Sequence, residues 1–186
     1  DEIIGGHNVP GGQDAGDTID AGAGNDVVAG DNALVLPQGN SLSLRFRSLT
    51  APTIYTIDAA GNIVANIGAA SGNPAGVLER QVVLFDNGTP DASLYGGDTL
   101  AGGADNDVLF GQMGNDVVQG DASVTTASWR TLGTWDNPGR SQGNALTDGN
   151  DYVEGGPGND LIFGGYGQDD LIGGNSSLYL PTGAPR

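Results

Sequence analysis

A nine-residue phase runs through this chain, and few folds can satisfy it. Gly102–Phe110 reads GGADNDVLF and Gly111–Gln119 reads GQMGNDVVQ, while Gly155–Phe163 reads GGPGNDLIF and Gly164–Ile172 reads GGYGQDDLI. Ala21–Ala29, AGAGNDVVA, belongs to the same series. With each unit numbered from one, glycine favours positions 1, 2 and 4, Asp holds position 6 and an aliphatic residue holds position 8. Six turn-forming residues followed by three extended ones make half a coil, so two units make one coil. Glycines let each turn adopt positive φ and bring its carbonyls inward. The position 8 residues Ile19, Val28, Leu100, Leu109, Val118, Val153, Ile162 and Leu171 are then expected to fill a narrow core between two parallel sheets.

The same pattern creates an electrostatic problem. Position 6 puts a carboxylate at the end of every turn, and turns on one edge stack roughly 4.8 Å apart. Like charges at that spacing repel by roughly 1 kcal/mol in water and by several in a partly buried turn. The acids number 23 against 6 basic residues, for a net charge of −17, and 20 of the 23 are Asp. Short carboxylates repeated at one turn position suit a hard cation. Calcium accepts six to eight oxygens in flexible geometry, whereas magnesium demands a stricter octahedron.

Other classes of function are excluded by what the chain lacks. There is no Lys and no basic stripe, which argues against nucleic acid as a partner. Cysteine is absent, so neither disulfides nor thiolate metal sites hold the fold. No run of 18 apolar residues offers a membrane span. Asp1-Glu2-Ile3-Ile4-Gly5-Gly6 is not a signal peptide and begins in mid-repeat, so the chain reads as a piece of a larger parent protein.

The repeats fall into blocks separated by residues 33–95 and 123–148. Gly30-Asp31-Asn32 opens a unit at positions 1 to 3, and Gly96-Gly97-Asp98 closes it at positions 4 to 6. Gly120-Asp121-Ala122 likewise opens a unit that Gly149-Asn150-Asp151 closes, and Gly5-Gly6-His7 is closed by Ala15-Gly16-Asp17. Both long inserts would then emerge from the middle of a turn, leaving one continuous domain over 1–186. The expected register puts Asp1, Asp26, Asp107, Asp151 and Asp169 on one edge. Asp17, Asp98, Asp116 and Asp160 fall on the other. The roll segments 1–32, 96–121 and 148–177 carry 18 acids and no Arg, so every basic residue lies in an insert or in the tail.

The insert 33–95 reads as β-hairpin-rich. Ser41–Arg47 alternates as SLSLRFR, and Thr53–Asp58 and Asn62–Ile67 flank Ala59-Ala60-Gly61, a hairpin signal. Val77–Phe85 can supply another strand. The insert 123–148 reads as a loop pinned by Trp129 and Trp135.

These nonamers follow the pattern GGxGxDxUx, with U a large aliphatic residue, and they resemble the calcium-binding nonapeptide of repeats-in-toxin (RTX, hemolysin-type) proteins. The resemblance covers about half the chain. It implies an all-β fold, a parallel β-roll or right-handed β-helix-like solenoid, in a secreted, extracellular bacterial protein exported by a type I system. It also implies that each ion is held by the carbonyls of positions 1 and 3 with the Asp of one turn, and by the carbonyls of positions 2 and 4 with the Asp of the next. The implied carbonyl donors are Gly22, Ala23 and Gly24; Gly102, Gly103, Ala104 and Asp105; Gly111, Gln112, Met113 and Gly114; Gly155, Gly156, Pro157 and Gly158; and Gly164, Gly165, Tyr166 and Gly167. Adjacent turns sharing ions would hold up to about seven calcium ions. Asp31 and Asp121 fit either additional ligands or ordinary turn residues.

No catalytic constellation competes with this reading. His7 is the only histidine and no nucleophile-elbow pattern accompanies it. The Gly-rich stretches lack the Lys of a phosphate loop. Position 5 supplies Asn25, Asn106, Asn115, Asn150 and Asn159, but position 3 supplies no Thr, so a flat Thr–Asn ice-binding array fails. Two alternatives stay open. The inserts could recognise a surface glycan or protein, or the chain could be the non-catalytic appendage of a secreted enzyme.

Overall fold

A three-residue extended segment cannot stand alone; it persists only where neighbours complete its hydrogen bonds on both sides. The computed structural model meets that need by stacking. It describes residues 1–37, 55–57, 63–65, 80–87, 92–124 and 146–176. The strands are β1 (Glu2–Ile4), β2 (Thr18–Ala23), β3 (Val27–Ala29), β4 (Ala33–Pro37), β5 (Tyr55–Ile57), β6 (Ile63–Ala65), β7 (Arg80–Leu84), β8 (Thr99–Ala104), β9 (Val108–Phe110), β10 (Val117–Asp121), β11 (Tyr152–Glu154), β12 (Leu161–Phe163) and β13 (Asp170–Ile172). A 3₁₀ turn, Ala92–Leu94, is the only helical element among the described residues, and none is long and apolar enough to cross a membrane.

The repeat strands form two parallel sheets, ordered β1-β3-β9-β11-β13 and β12-β10-β8-β2. Along the chain, successive repeat strands alternate between the two. Register follows the repeat phase: Ile3 pairs with Val28, Val28 with Leu109, Leu109 with Val153 and Val153 with Leu171. In the other sheet, Leu100 pairs with Ile19 and Val118, and Val118 with Ile162. The position 6 carbonyl of one coil accepts from the position 7 N–H of the next, as in Val108 to Asp26 and Tyr152 to Asp107, both 2.9 Å.

Stacked partners are 18 residues apart where turns are intact, as for Asp151 and Asp169. The separation is 81 between Asp26 and Asp107 and 44 between Asp107 and Asp151. The excess matches the lengths of 33–95 and 123–148, so each insert is accommodated within a turn while the strands keep their phase.

The position 8 residues Ile19, Val28, Leu100, Leu109, Val118 and Val153 form one buried cluster, with Ile162 partly buried against it. Leu171 departs from expectation: it is 46% exposed, because β13 is the edge strand of its sheet. A second departure concerns positions 7 and 9. Alternation turns them outward, yet Val27, Ala29, Val108, Phe110, Tyr152 and Glu154 are all buried. Phe110 and Tyr152 pack with ring centroids 6.1 Å apart. Tyr152 also hydrogen-bonds Glu154 and Ser176. The central strands of this sheet are thus buried on both faces, which their apolar sequences permit.

The chain divides into two compact units, one comprising Asp1–Val35 and Val82–Arg186, the other Leu36–Gln81. Within the second, β5 and β6 pair antiparallel with Thr56 opposite Val64, as the hairpin signal around Ala59-Ala60-Gly61 requires. Strand β7 falls inside Val77–Phe85 and pairs with β4. The alternating segment 41–47, Trp129 and Trp135 lie outside the described residues.

Truncating a sealed position 8 residue should cost far more than truncating the edge one. Leu109→Ala is expected to lose about 2–5 kcal/mol. Leu171→Ala should lose under about 1 kcal/mol, since half its surface is already wet. Denaturant unfolding in saturating calcium measures both; equal losses would contradict this packing.

Candidate metal centre

Each repeat turn ends on an Asp whose two oxygens have different fates. Oδ1 accepts from the backbone N–H of the stacked Asp on the preceding coil. On one edge Asp26 donates to Asp107 at 2.8 Å, Asp107 to Asp151 at 2.9 Å and Asp151 to Asp169 at 3.1 Å. On the other, Asp17 donates to Asp98 at 2.8 Å, Asp98 to Asp116 at 2.9 Å and Asp116 to Asp160 at 3.0 Å. Asp98 therefore shares an edge with Asp17, opposite Asp26, as the split-turn register requires. Asp1 heads β1 with an exposed side chain, and its amino group pairs with Asp26.

The second oxygen has no such partner. Oδ2 of Asp17, Asp26, Asp98, Asp107, Asp116, Asp151 and Asp160 is buried without a hydrogen bond. A buried unpaired carboxylate oxygen is costly and calls for a cation or a proton. The position 1 glycines show where these oxygens point. A Cβ on Gly111 would lie 2.5 Å from Oδ2 of Asp116 and 2.6 Å from the carbonyl of Gly155. One on Gly155 would lie 2.6 Å from Oδ2 of Asp160 and 2.7 Å from the carbonyl of Gly173. Gly102 faces Oδ2 of Asp107 with the Gly120 carbonyl, and Gly164 faces Oδ2 of Asp169. Glycine at position 1 thus leaves room where a carboxylate and the next turn's carbonyl converge.

Interrupted turns close in the same way. Gly30 faces Oδ2 of Asp98 and the Gly111 carbonyl, Gly120 faces Oδ2 of Asp151 and the Gly164 carbonyl, and Gly5 faces Oδ2 of Asp17 and the Gly30 carbonyl.

Positions 2 and 4 serve another purpose. Gly22, Gly103, Gly156 and Gly165 have φ between 103° and 116°, and Gly24, Gly114, Gly158 and Gly167 also lie at positive φ. Gln112 and Asp105 adopt the same turn at 70° and 77°, at the strain cost of a side chain in that region. Gln112 is held there by donating to the carbonyls of Asn32 and Phe85. At intact turns the position 2 carbonyl lies against position 2 of the next coil, Gly22 on Gly103 and Gln112 on Gly156; at position 4, Gly114 does so on Gly158. Two position 3 carbonyls, Ala104 and Pro157, accept from Gly24 and Gly114; Met113, Ala23 and Tyr166 complete that position.

Burial raises these carboxyls, and stacked neighbours add to it. Asp107 is pushed up to about 9, Asp98 and Asp151 to about 8, and Asp116 to about 7. Asp160 and Asp169, less deeply buried, move in the same direction.

Such a stack, carboxylate and carbonyl oxygens with no nitrogen or sulfur, fits calcium. The family model of the RTX calcium-binding nonapeptide repeat matches residues 12–33, 94–123 and 147–176, in four copies. The chain carries the RTX calcium-binding repeat. RTX repeats bind calcium, and the matched segments leave out the bulk of both long inserts, as the register does. No curated protein and no solved structure matches the chain.

Sequence reasoning gave no role to position 5. The Asn side chains there form a second ladder: Oδ1 of Asn25 accepts from the N–H of Asn106, Asn106 from Asn150, Asn150 from Gln168 and Asn115 from Asn159, at 2.8–3.0 Å. Asn at five of these positions was the available signal. Asp14, Asp31 and Asp121 each also carry a buried oxygen without a hydrogen bond. His7 is exposed, with Nδ1 3.2 Å from Asn32 Oδ1.

A pH dependence follows for the metal-free fold. Unfolded Asp titrates near 3.9, so above that pH the folded chain holds protons that the unfolded chain releases. Stability from this source is complete below about pH 4, falls progressively as pH rises above it, and is gone once pH has passed through about 7 to 9. Chelator-treated protein followed by far-ultraviolet circular dichroism should lose β signal across that window. A signal that is flat or grows with pH would contradict the assignment.

Proposed function

We propose that this chain is the calcium-binding β-roll module of a larger secreted bacterial protein, folding when it meets calcium after export. The observation that carries the reading is the row of buried Oδ2 atoms, which at Asp17, Asp98, Asp107, Asp116, Asp151 and Asp160 flank a position 1 glycine together with a carbonyl of the next turn. Between two turns, Asp107 with the Gly120 carbonyl, or Asp116 with the Gly155 carbonyl, would hold one side of an ion, and the position 2 and 4 carbonyls and the stacked Asp would complete it. Calcium supplies the positive charge that lets both ladders ionise together. Up to about seven ions fit the stacked turns, and the two sheets wound between them make a solenoid.

In a cytoplasm poor in calcium the ladders repel, which favours an unfolded, exportable chain. Outside, millimolar calcium exceeds the roughly 10⁻⁴–10⁻³ M affinity of extracellular calcium modules, and binding drives folding. No catalytic role is assigned to the roll, and any chemistry belongs to the parent protein.

Far-ultraviolet circular dichroism of chelator-treated protein during a calcium titration, with magnesium as control, tests this. A cooperative coil-to-β transition at about 0.1–1 mM calcium, absent with magnesium, is expected. A chain fully β without calcium at neutral pH would overturn the switch.

A further inference from the structure

The turns interrupted by the two long inserts differ from intact ones at position 2. Intact turns carry Gly22, Gly103, Gln112, Gly156 or Gly165 there, all at positive φ. The interrupted turns carry Asp31 and Asp121, neither of which is at positive φ. Asp121 is instead the last residue of extended β10, and the positive φ passes to Ala122 at 72°. Extended backbone lets the chain leave the turn for the insert. It also forfeits the positive φ with which intact turns present their position 2 carbonyl.

The side chain fills that place. Against position 2 of the following coil, intact turns set a backbone carbonyl, Gly22 on Gly103 and Gln112 on Gly156. Against Gly165 the atom is Oδ2 of Asp121. Asp121 is fully buried, Oδ2 has no hydrogen bond, and Oδ1 accepts from Gly149 N–H at 3.0 Å, tying together the two halves of the split turn. The Gly149 carbonyl still lies against Gly167, as the Gly114 carbonyl lies against Gly158. Asp31 holds position 2 of the split turn on the other edge, where its carboxylate bonds the next coil instead of its own turn. It is fully buried, with Oδ2 accepting from Met113 N–H at 2.6 Å and Oδ1 unpartnered.

We propose that Asp121 and Asp31 are calcium ligands that replace the missing position 2 carbonyl at the turns interrupted by the inserts. The inference rests on the reading that calcium sits between stacked turns. Asp121 joins Asp151 and Asp169, and Asp31 joins Asp98 and Asp116, so these two sites hold three carboxylates where intact turn pairs hold two. The electrostatics agree: burial raises both carboxyls, Asp148 and then Asp169 add to it at Asp121, and Asp116 adds to it at Asp31. An added charge strengthens binding of a hard cation, so these sites should fill first. The inserts then leave the turns without breaking the ion ladder.

The test is calcium binding by the full chain, with ions counted by native mass spectrometry and affinities from chelator competition. Asp121→Ala and Asp31→Ala should each lose one ion or weaken one binding step by more than about tenfold. Asp121→Asn keeps an oxygen and the acceptor for Gly149, so it should keep the ion count and weaken that step by about tenfold. Asp121→Asn also covers the case in which the Ala variant does not fold. If Asp121→Asn binds calcium like the wild type, Asp121 is only a turn residue and the proposal falls. A wild-type chain that binds no calcium would bring down the underlying reading as well.

Discussion

Stacked carboxylates along two edges are the constraint on which the rest of this molecule depends. Asp98, Asp107, Asp116, Asp151 and Asp160 each accept the N–H of the Asp before them on one oxygen and leave the other buried without a hydrogen bond. That arrangement costs desolvation and like-charge repulsion at every coil, and only protons or cations can offset it. The apolar core that opposes this cost is narrow. Between the two sheets of mostly three-residue strands it is two rows of position 8 residues, one from each sheet. A fold with so little apolar core and so many buried acids has its stability tied to what neutralises the acids.

Glycine content follows from the same stack. Position 1 is Ala21 in one turn, but at Gly102, Gly111 and Gly155 a Cβ would meet the carboxylate oxygen and the next carbonyl; positions 2 and 4 need positive φ to turn the chain. Gln112 and Asp105 show that the second requirement can be met without glycine at a local cost. Position 1 admits no side chain at the places where Gly102, Gly111, Gly155 and Gly164 sit, since the obstruction there is backbone or a position 6 carboxylate.

The interrupted turns show how a repeat fold tolerates large insertions. Pairing of Leu109 with both Val28 and Val153 is unaffected by either long insert. The entropy of closing a long loop grows only slowly with its length, so the demand falls on the turn's own geometry. Here it is met by hydrogen bonds across the split, such as Asp121 to Gly149, and by the reuse of Gly30 with Asp98 and Gly120 with Asp151.

The nine-residue phase by itself determined the parallel pairing, the inward position 8 residues and the assignment of each Asp to an edge, including the joining of split turns, because strand period and stacking leave one register that keeps every aliphatic residue inside. The class of ion was legible too, since oxygen donors with neither Cys nor a His cluster exclude softer metals. Exposure of Leu171 and burial of Phe110, Tyr152 and Glu154 on the expected outer face were decided by tertiary structure. They depend on which strand lies at the edge and on what packs over the sheet, and local period carries neither. The place of Asp121 was likewise hidden. A carboxylate standing where a carbonyl stands in other turns appears only when coils are stacked, because the two oxygens being compared belong to different turns of the chain.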